Sequence, residues 1–180
     1  TDRIRPGVFD GRGGRYYFHM PKEMEEAGRK FCAQQQVTPY MMLLSAFGIL
    51  LFGVCGQEKI VVGTPVSGRR HGDLSGVTGV FVNTLPVFLE PERKKNYLEY
   101  LHQVRERVLE MLDNQDTPLE DIVAMSNAER NRDRNPLYQV LFSLTAAQTK
   151  NLPLGEAKLT MLQMEEVSVK MDLHLEVIQN

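Results

Sequence analysis

The residues of this 180-residue chain that could do chemistry are few and scattered. His19, His71, His102 and His174 stand apart from one another, so no two imidazoles fall at metal-ligand or relay spacing. Asp172 and His174 would share one face of an extended strand, where a carboxylate could orient an imidazole for acid/base work. An exposed polar sheet face explains the same alternation and is the preferred reading. Cys32 and Cys55 have no Cys-x-x-Cys spacing and no neighbouring histidine, which predicts reduced thiols on helices in a cytoplasmic protein. No Ser-His-Asp, Cys-His or metal-ligand arrangement competes.

Two glycine patterns invite a phosphate-binding reading and fail it. Gly63 and Gly68 have the Gly-x-x-x-x-Gly spacing, but Arg69-Arg70 stands where Lys-Ser/Thr belongs, Pro65 removes an amide, and His71-Gly72-Asp73 opens no helix towards phosphate. Gly11 and Gly13 are followed by no helix-opening Gly-x-x-Gly. The more informative residue is Asn83, an amide in the run Val80 to Leu89. Alternation there puts Phe81, Asn83, Leu85 and Val87 on one face and Val80, Val82, Thr84 and Pro86 on the other. An amide among apolar neighbours needs hydrogen-bond partners, so Asn83 either braces a neighbouring loop or faces a wet channel.

The elements that position these residues mix helix and strand. Ile60 to Thr64, β-branched and bounded by glycines, reads as a strand covered on both faces. Arg15 to Met20, Leu137 to Leu144, Leu159 to Val167 and the alternating Val169 to Val177 are further strand candidates. In the last, Val169, Met171, Leu173, Leu175 and Val177 face one way and Lys170, Asp172, His174 and Glu176 the other. Pro21 to Gln36 predicts a helix with Pro21 in its first turn and Met24, Ala27, Phe31 and Cys32 on one apolar side. Thr38-Pro39 opens a second helix, Tyr40 to Val54, apolar nearly all round; its span is short of the roughly 20 residues a membrane helix needs. A buried core helix is therefore expected, with Gly48 and Gly53 permitting close packing on the sheet.

Asn96 to Asp113 is amphipathic, with Tyr97, Leu98, Leu101, Val104, Val108, Leu109 and Leu112 at three- and four-residue steps. Thr117-Pro118-Leu119-Glu120 has the form of a capping box that opens a further helix. The expected class is α/β: a layered sandwich of a mixed β-sheet and packed helices. A composition of 42% hydrophobic and 24% charged residues is that of a folded globular domain, and a net charge of −2 gives no electrostatic case for nucleic acid or an anionic membrane. The arginines at 130, 132 and 134 alternate with Glu129 and Asp133, a self-neutralising, solvated loop.

Three segments carry a resemblance. Thr78-Gly79-Val80-Phe81-Val82-Asn83-Thr84 resembles the Gly-x-Phe-Val-Asn-Thr signature of the condensation domains of nonribosomal peptide synthetases. Gln115-Asp116-Thr117-Pro118-Leu119-Glu120 resembles that family's Gln-Asp-x-Pro-Phe-Glu block, with Leu119 for Phe. Arg130 to Leu137, containing Arg134, Asn135 and Pro136, resembles Arg-Asp-x-Ser-Arg-Asn-Pro-Leu, with Asn131 for Asp and Asp133 for Ser. The blocks occur in the family's order.

The resemblance implies a lobe similar to chloramphenicol acetyltransferase, one of two that flank a channel. There, substrates tethered to phosphopantetheine on carrier proteins are joined by an amide bond, as in the making of antibiotic and other secondary-metabolite peptides. The family's His-His-x-x-x-Asp-Gly signature does not occur in residues 1–180. The chain is accordingly expected to be the C-terminal lobe, inactive alone, with the catalytic motif on a preceding N-terminal lobe and its own last strand and helix cut short. Expected partners are that lobe, peptidyl carrier proteins and adjacent synthetase domains, with no cofactor bound directly. The resemblance makes the connection Arg69 to Gly79 a segment bridging to the other lobe, and gives the Asp of Met171-Asp172-Leu173 a structural role. Asn83 is the candidate for a polar group in the channel. A non-catalytic carrier-docking lobe and an epimerising relative are the competing readings, the latter disfavoured by the Phe-Val-Asn-Thr block.

Overall fold

The computed structural model describes residues 7–129, 131–146 and 168–179. Among the described residues four α-helices and four strands follow in the order α1 (Lys22–Gln35), α2 (Pro39–Cys55), β1 (Ile60–Val66), β2 (Asn83–Leu89), α3 (Tyr97–Asp113), α4 (Leu119–Ser126), β3 (Val140–Ala146) and β4 (Leu173–Gln179), with a short 3₁₀ turn, Gly72–Leu74, between β1 and β2. The sheet is mixed, in the order β2-β1-β3-β4, with β1 and β2 antiparallel and β1, β3 and β4 parallel. The expected α/β class with a mixed sheet and packed helices is thus observed.

Local chemistry starts and stops the helices. Thr38 accepts the Met41 N–H at 3.2 Å and Pro39 supplies the first turn of α2, which ends at Gly56 in the left-handed region (φ 66°). Asn96 and Glu99 form a reciprocal capping box at the start of α3, with bonds of 3.0 and 3.3 Å. One face of the sheet, carrying Ile60, Val62, Val87, Leu89 and Phe142, packs against Leu44 and Phe47 of α2 and Leu101, Val104 and Val108 of α3. The α1 helix lies behind, adding Cys32 and Phe31. No single described helix is long and apolar enough to cross a membrane, and the core-facing side of α2 is buried.

The seam between β1 and β3 is short. Its paired register is Val62 with Val140 and Gly63 with Leu141, whereas β1–β2 and β3–β4 pair along their whole lengths. Pro65 has no N–H to continue a ladder. Instead the Thr64 hydroxyl donates to the Phe142 carbonyl at 3.0 Å and itself accepts from Tyr40 of α2 at 2.8 Å. Burial pushes the Tyr40 phenol up to about 12, the bond to Thr64 acting the other way.

Several expectations are corrected. Residues 15–20 form no strand; nearby only Arg12 bridges to Ser168, and Tyr16, Tyr17 and Phe18 are exposed. Their strand-like composition meets no described neighbour with which to exchange hydrogen bonds. The second strand starts at Asn83 rather than Val80, because Phe81 lies under the Arg69 guanidinium, 4.3 Å from its ring centre, instead of joining a ladder. Thr117 does not cap α4: Pro118 occupies that position with no side-chain cap, and the Thr117 carbonyl serves Asn83. Strand β4 begins at Leu173, four residues later than expected. A Cβ at Gly48 would meet Tyr100 Oη at 2.4 Å and Leu89 at 3.0 Å, so this glycine admits both α3 and the sheet; Gly53 faces open space. The expected strand Leu159 to Val167 lies outside the described residues.

Candidate functional site

Because β2 runs antiparallel to β1, its first residue lies beside the last residues of β1, with Asn83 opposite Val66. Alternation turns Asn83 to the helix-covered face together with Leu85 and Val87. Its Nδ2 donates to the carbonyls of Gln115 (3.1 Å) and Thr117 (2.8 Å), and its Oδ1 accepts the Thr84 N–H at 3.0 Å. Both amide hydrogens therefore hold the loop between α3 and α4. The braced loop is this one and not the connection Arg69 to Gly79.

An ion pair adds to the same node. Arg70 reaches Asp116 at 2.6 Å across 46 positions of sequence. Its neighbour Arg69 donates to the carbonyls of Leu74 and Gly79, folding the connection between β1 and β2 back on itself. Gly68 is required there, since its φ is +64° and a Cβ would fall on the Phe81 carbonyl oxygen. Gly79, Phe81, Val82, Asn83 and Thr84 of the first sequence block and Gln115, Asp116, Pro118 and Glu120 of the second are thereby brought to one edge of the sheet.

The third block lies elsewhere. Asn135 accepts the N–H groups of Leu137 (3.0 Å) and Tyr138 (3.4 Å), and its carbonyl accepts Gln139 Nε2 at 2.9 Å, a turn that feeds Pro136 and Leu137 into the start of β3. Arg134 sits 3.4 Å from Asp133, and Arg130 lies outside the described residues. The turn lays Tyr138 over Gly63, where any Cβ would fall inside the ring. Burial pushes that phenol up, with hydrogen bonds to Thr84 and Asn135 opposing the shift. A cleft of about 220 Å³ opens beside the turn, between Arg132, Arg134 and Asn135 on one side and Lys170 to Asp172 on the other.

Asp172 and His174 are not on one strand face. Asp172 precedes β4 and donates its N–H to the Gln139 carbonyl at 3.0 Å, while His174 lies within β4 with Nε2 2.9 Å from Ser143 Oγ. Ser143 escaped the sequence reading, although alternation between Phe142 and Leu144 marks it as turned from the core. Among the described residues no three His, Cys, Asp or Glu side chains gather as a metal would require.

The family model for the condensation domain matches residues 1–180, the whole chain. The chain belongs to the condensation domain family. This condensation-domain chain is similar to surfactin synthase subunit 1 of Bacillus subtilis (strain 168), 37% identical over 175 residues, covering 97% of the chain and 5% of that protein. It is similar also to tyrocidine synthase 3 of Brevibacillus parabrevis, 37% identical over 175 residues, covering 97% of the chain and 3% of that protein. In fold it resembles the X-domain in its complex with OxyB from teicoplanin biosynthesis, with a TM-score of 0.87 at 21% identity over 99% of this chain and 39% of that one. The condensation-domain chain thus spans a small fraction of the curated relatives it matches.

Proposed function

We propose that this chain is the C-terminal lobe of a condensation domain that joins carrier-bound aminoacyl or peptidyl thioesters through an amide bond. In that reaction the acceptor amine attacks the donor thioester carbonyl, the C–N bond forms, the C–S bond breaks, and the amine's proton leaves with the thiol. The family match over the whole chain carries the proposal. The node built on Asn83, Arg70 and Asp116 supports it, since two separated sequence blocks converge there. The demand on the protein is positioning and electrostatic stabilisation more than nucleophilic catalysis. In this reading the node is a rigid wall at the channel, and Asn83 acts through the α3–α4 loop that it holds.

The lobe works with an N-terminal lobe, peptidyl carrier proteins and neighbouring synthetase domains, in the cytoplasm, with phosphopantetheine arriving as part of the substrates. The test is the full-length synthetase with both flanking carriers loaded, and mass spectrometry for the amide product. Product formation is expected. Loaded carriers that bind without any amide appearing would overturn the catalytic reading and leave a docking lobe, a role for which the X-domain held with OxyB offers a parallel in fold.

A further inference from the structure

Three buried polar side chains occur among the described residues: Ser45, Thr64 and Ser143. Ser45 and Thr64 donate to backbone carbonyls, of Met42 at 2.7 Å and of Phe142 at 3.0 Å. Ser143 differs. It is 5% exposed, yet its hydroxyl meets the exposed ring of His174 at 2.9 Å. Register puts both residues on the sheet face opposite α2 and α3: Ser143 pairs with Glu176 and Leu141 with His174, while Phe142 and Leu175 face the core.

The tautomer of His174 decides which atom of this pair donates. A buried hydroxyl hydrogen left without an acceptor is strongly unfavourable, and the imidazole nitrogen is the acceptor that the described residues offer it. With Ser143 O–H donating to Nε2, the tautomer that fits the pair carries its ring hydrogen on Nδ1. In that tautomer a buried serine holds an exposed histidine with one ring donor left over, on the sheet face opposite α2 and α3.

We propose that His174, oriented by Ser143, donates from Nδ1 to a carbonyl oxygen of the tethered substrate, either an amide of the pantetheine arm or the thioester itself. His174 would be a substrate-binding residue and Ser143 a positioning residue. This inference rests on the amide-forming function proposed above.

The experiment uses the full-length synthetase with an aminoacyl-pantetheine thioester, and in parallel the aminoacyl ethyl thioester, which lacks the arm's amides. His174→Phe should raise KM for the pantetheine substrate about three- to tenfold, the range of one neutral hydrogen bond, with kcat little changed. His174→Asn, which retains an N–H near the Nδ1 position, should recover most of that loss, and Ser143→Ala should raise KM by a smaller factor. A rise confined to the pantetheine substrate assigns the bond to the arm, and a rise for both assigns it to the thioester carbonyl. Unchanged KM in both His174→Phe and Ser143→Ala, with wild-type amide formation intact, overturns the inference and leaves the proposed function standing. Absence of amide product from the wild type removes both. Should His174→Phe fail to fold, Ser143→Ala and His174→Asn decide alone.

Discussion

Replacing Asn83 by alanine removes three hydrogen bonds at once: two to the carbonyls of Gln115 and Thr117 and one from the Thr84 N–H. Each bond of this kind contributes about 1 kcal/mol net. The half-buried site lets water recover part of that, so the expected loss is about 2 kcal/mol, felt first by the loop between α3 and α4. Hydrogen–deuterium exchange in the full-length protein reads this directly: a 2 kcal/mol drop in the opening free energy speeds exchange of the 112–120 amides by about thirtyfold. Asn83→Asp should be worse than Asn83→Ala, because it keeps the acceptor for Thr84 but turns a carboxylate towards two carbonyl oxygens. Turnover should fall in Asn83→Ala without global unfolding. Exchange in 112–120 that rises less than about threefold, or Asn83→Asp that protects better than alanine, would refute the brace. Unchanged turnover with a loosened loop would leave the brace and remove Asn83 from any part in the reaction.

Three further outcomes are expected. Gly48→Ala should destabilise by about 1–3 kcal/mol through overpacking against Tyr100 and Leu89, whereas Gly53→Ala, in the same helix but facing open space, should stabilise by about 0.5–1 kcal/mol; urea titration separates the two signs. Tyr100 Oη is buried without a hydrogen-bond partner among the described residues, so Tyr100→Phe should leave stability equal or higher in the same titration, and a loss above about 1 kcal/mol would contradict the orphaned hydroxyl. The phenols of Tyr40, Tyr100 and Tyr138 are all pushed up by burial, so the folded protein holds their protons where the unfolded chain has released them. Stability should hold up to the ordinary phenol value of 10 and fall as pH rises from there through about 12, the Tyr40 value, as followed by denaturant midpoints against pH.

What the sequence makes legible here is local. The capped starts of α2 and α3 and the apolar stripe of α3 follow from neighbours within a few positions, and Thr38 and Asn96 do what their types imply. The three sequence blocks were equally readable because each is contiguous. Tyr16, Tyr17 and Phe18 misled because strand propensity is realised only when a neighbour supplies the other half of each hydrogen bond. Thr117 misled because its backbone was claimed by Asn83, 34 positions earlier, which alters how the loop enters α4. The contacts that define the node and the Ser143–His174 pair span 46 and 31 positions, and nothing in the spacing of residues announces them. They follow from strand order and direction, which hydrophobic periodicity does not encode.

The short seam between β1 and β3 divides the sheet into two leaves, each paired along its whole length. One leaf, β1 with β2, carries the Asn83 node; the other, β3 with β4, carries Ser143 and His174. Past Gly63 and Leu141 the leaves are stitched through the hydroxyls of Thr64 and Tyr40, so α2 acts as the spine of a book whose covers hold the two sets of polar groups. Beyond the two residue pairs of the seam, the described bonds across it run through side chains of β1 and α2 and not from one backbone to the other.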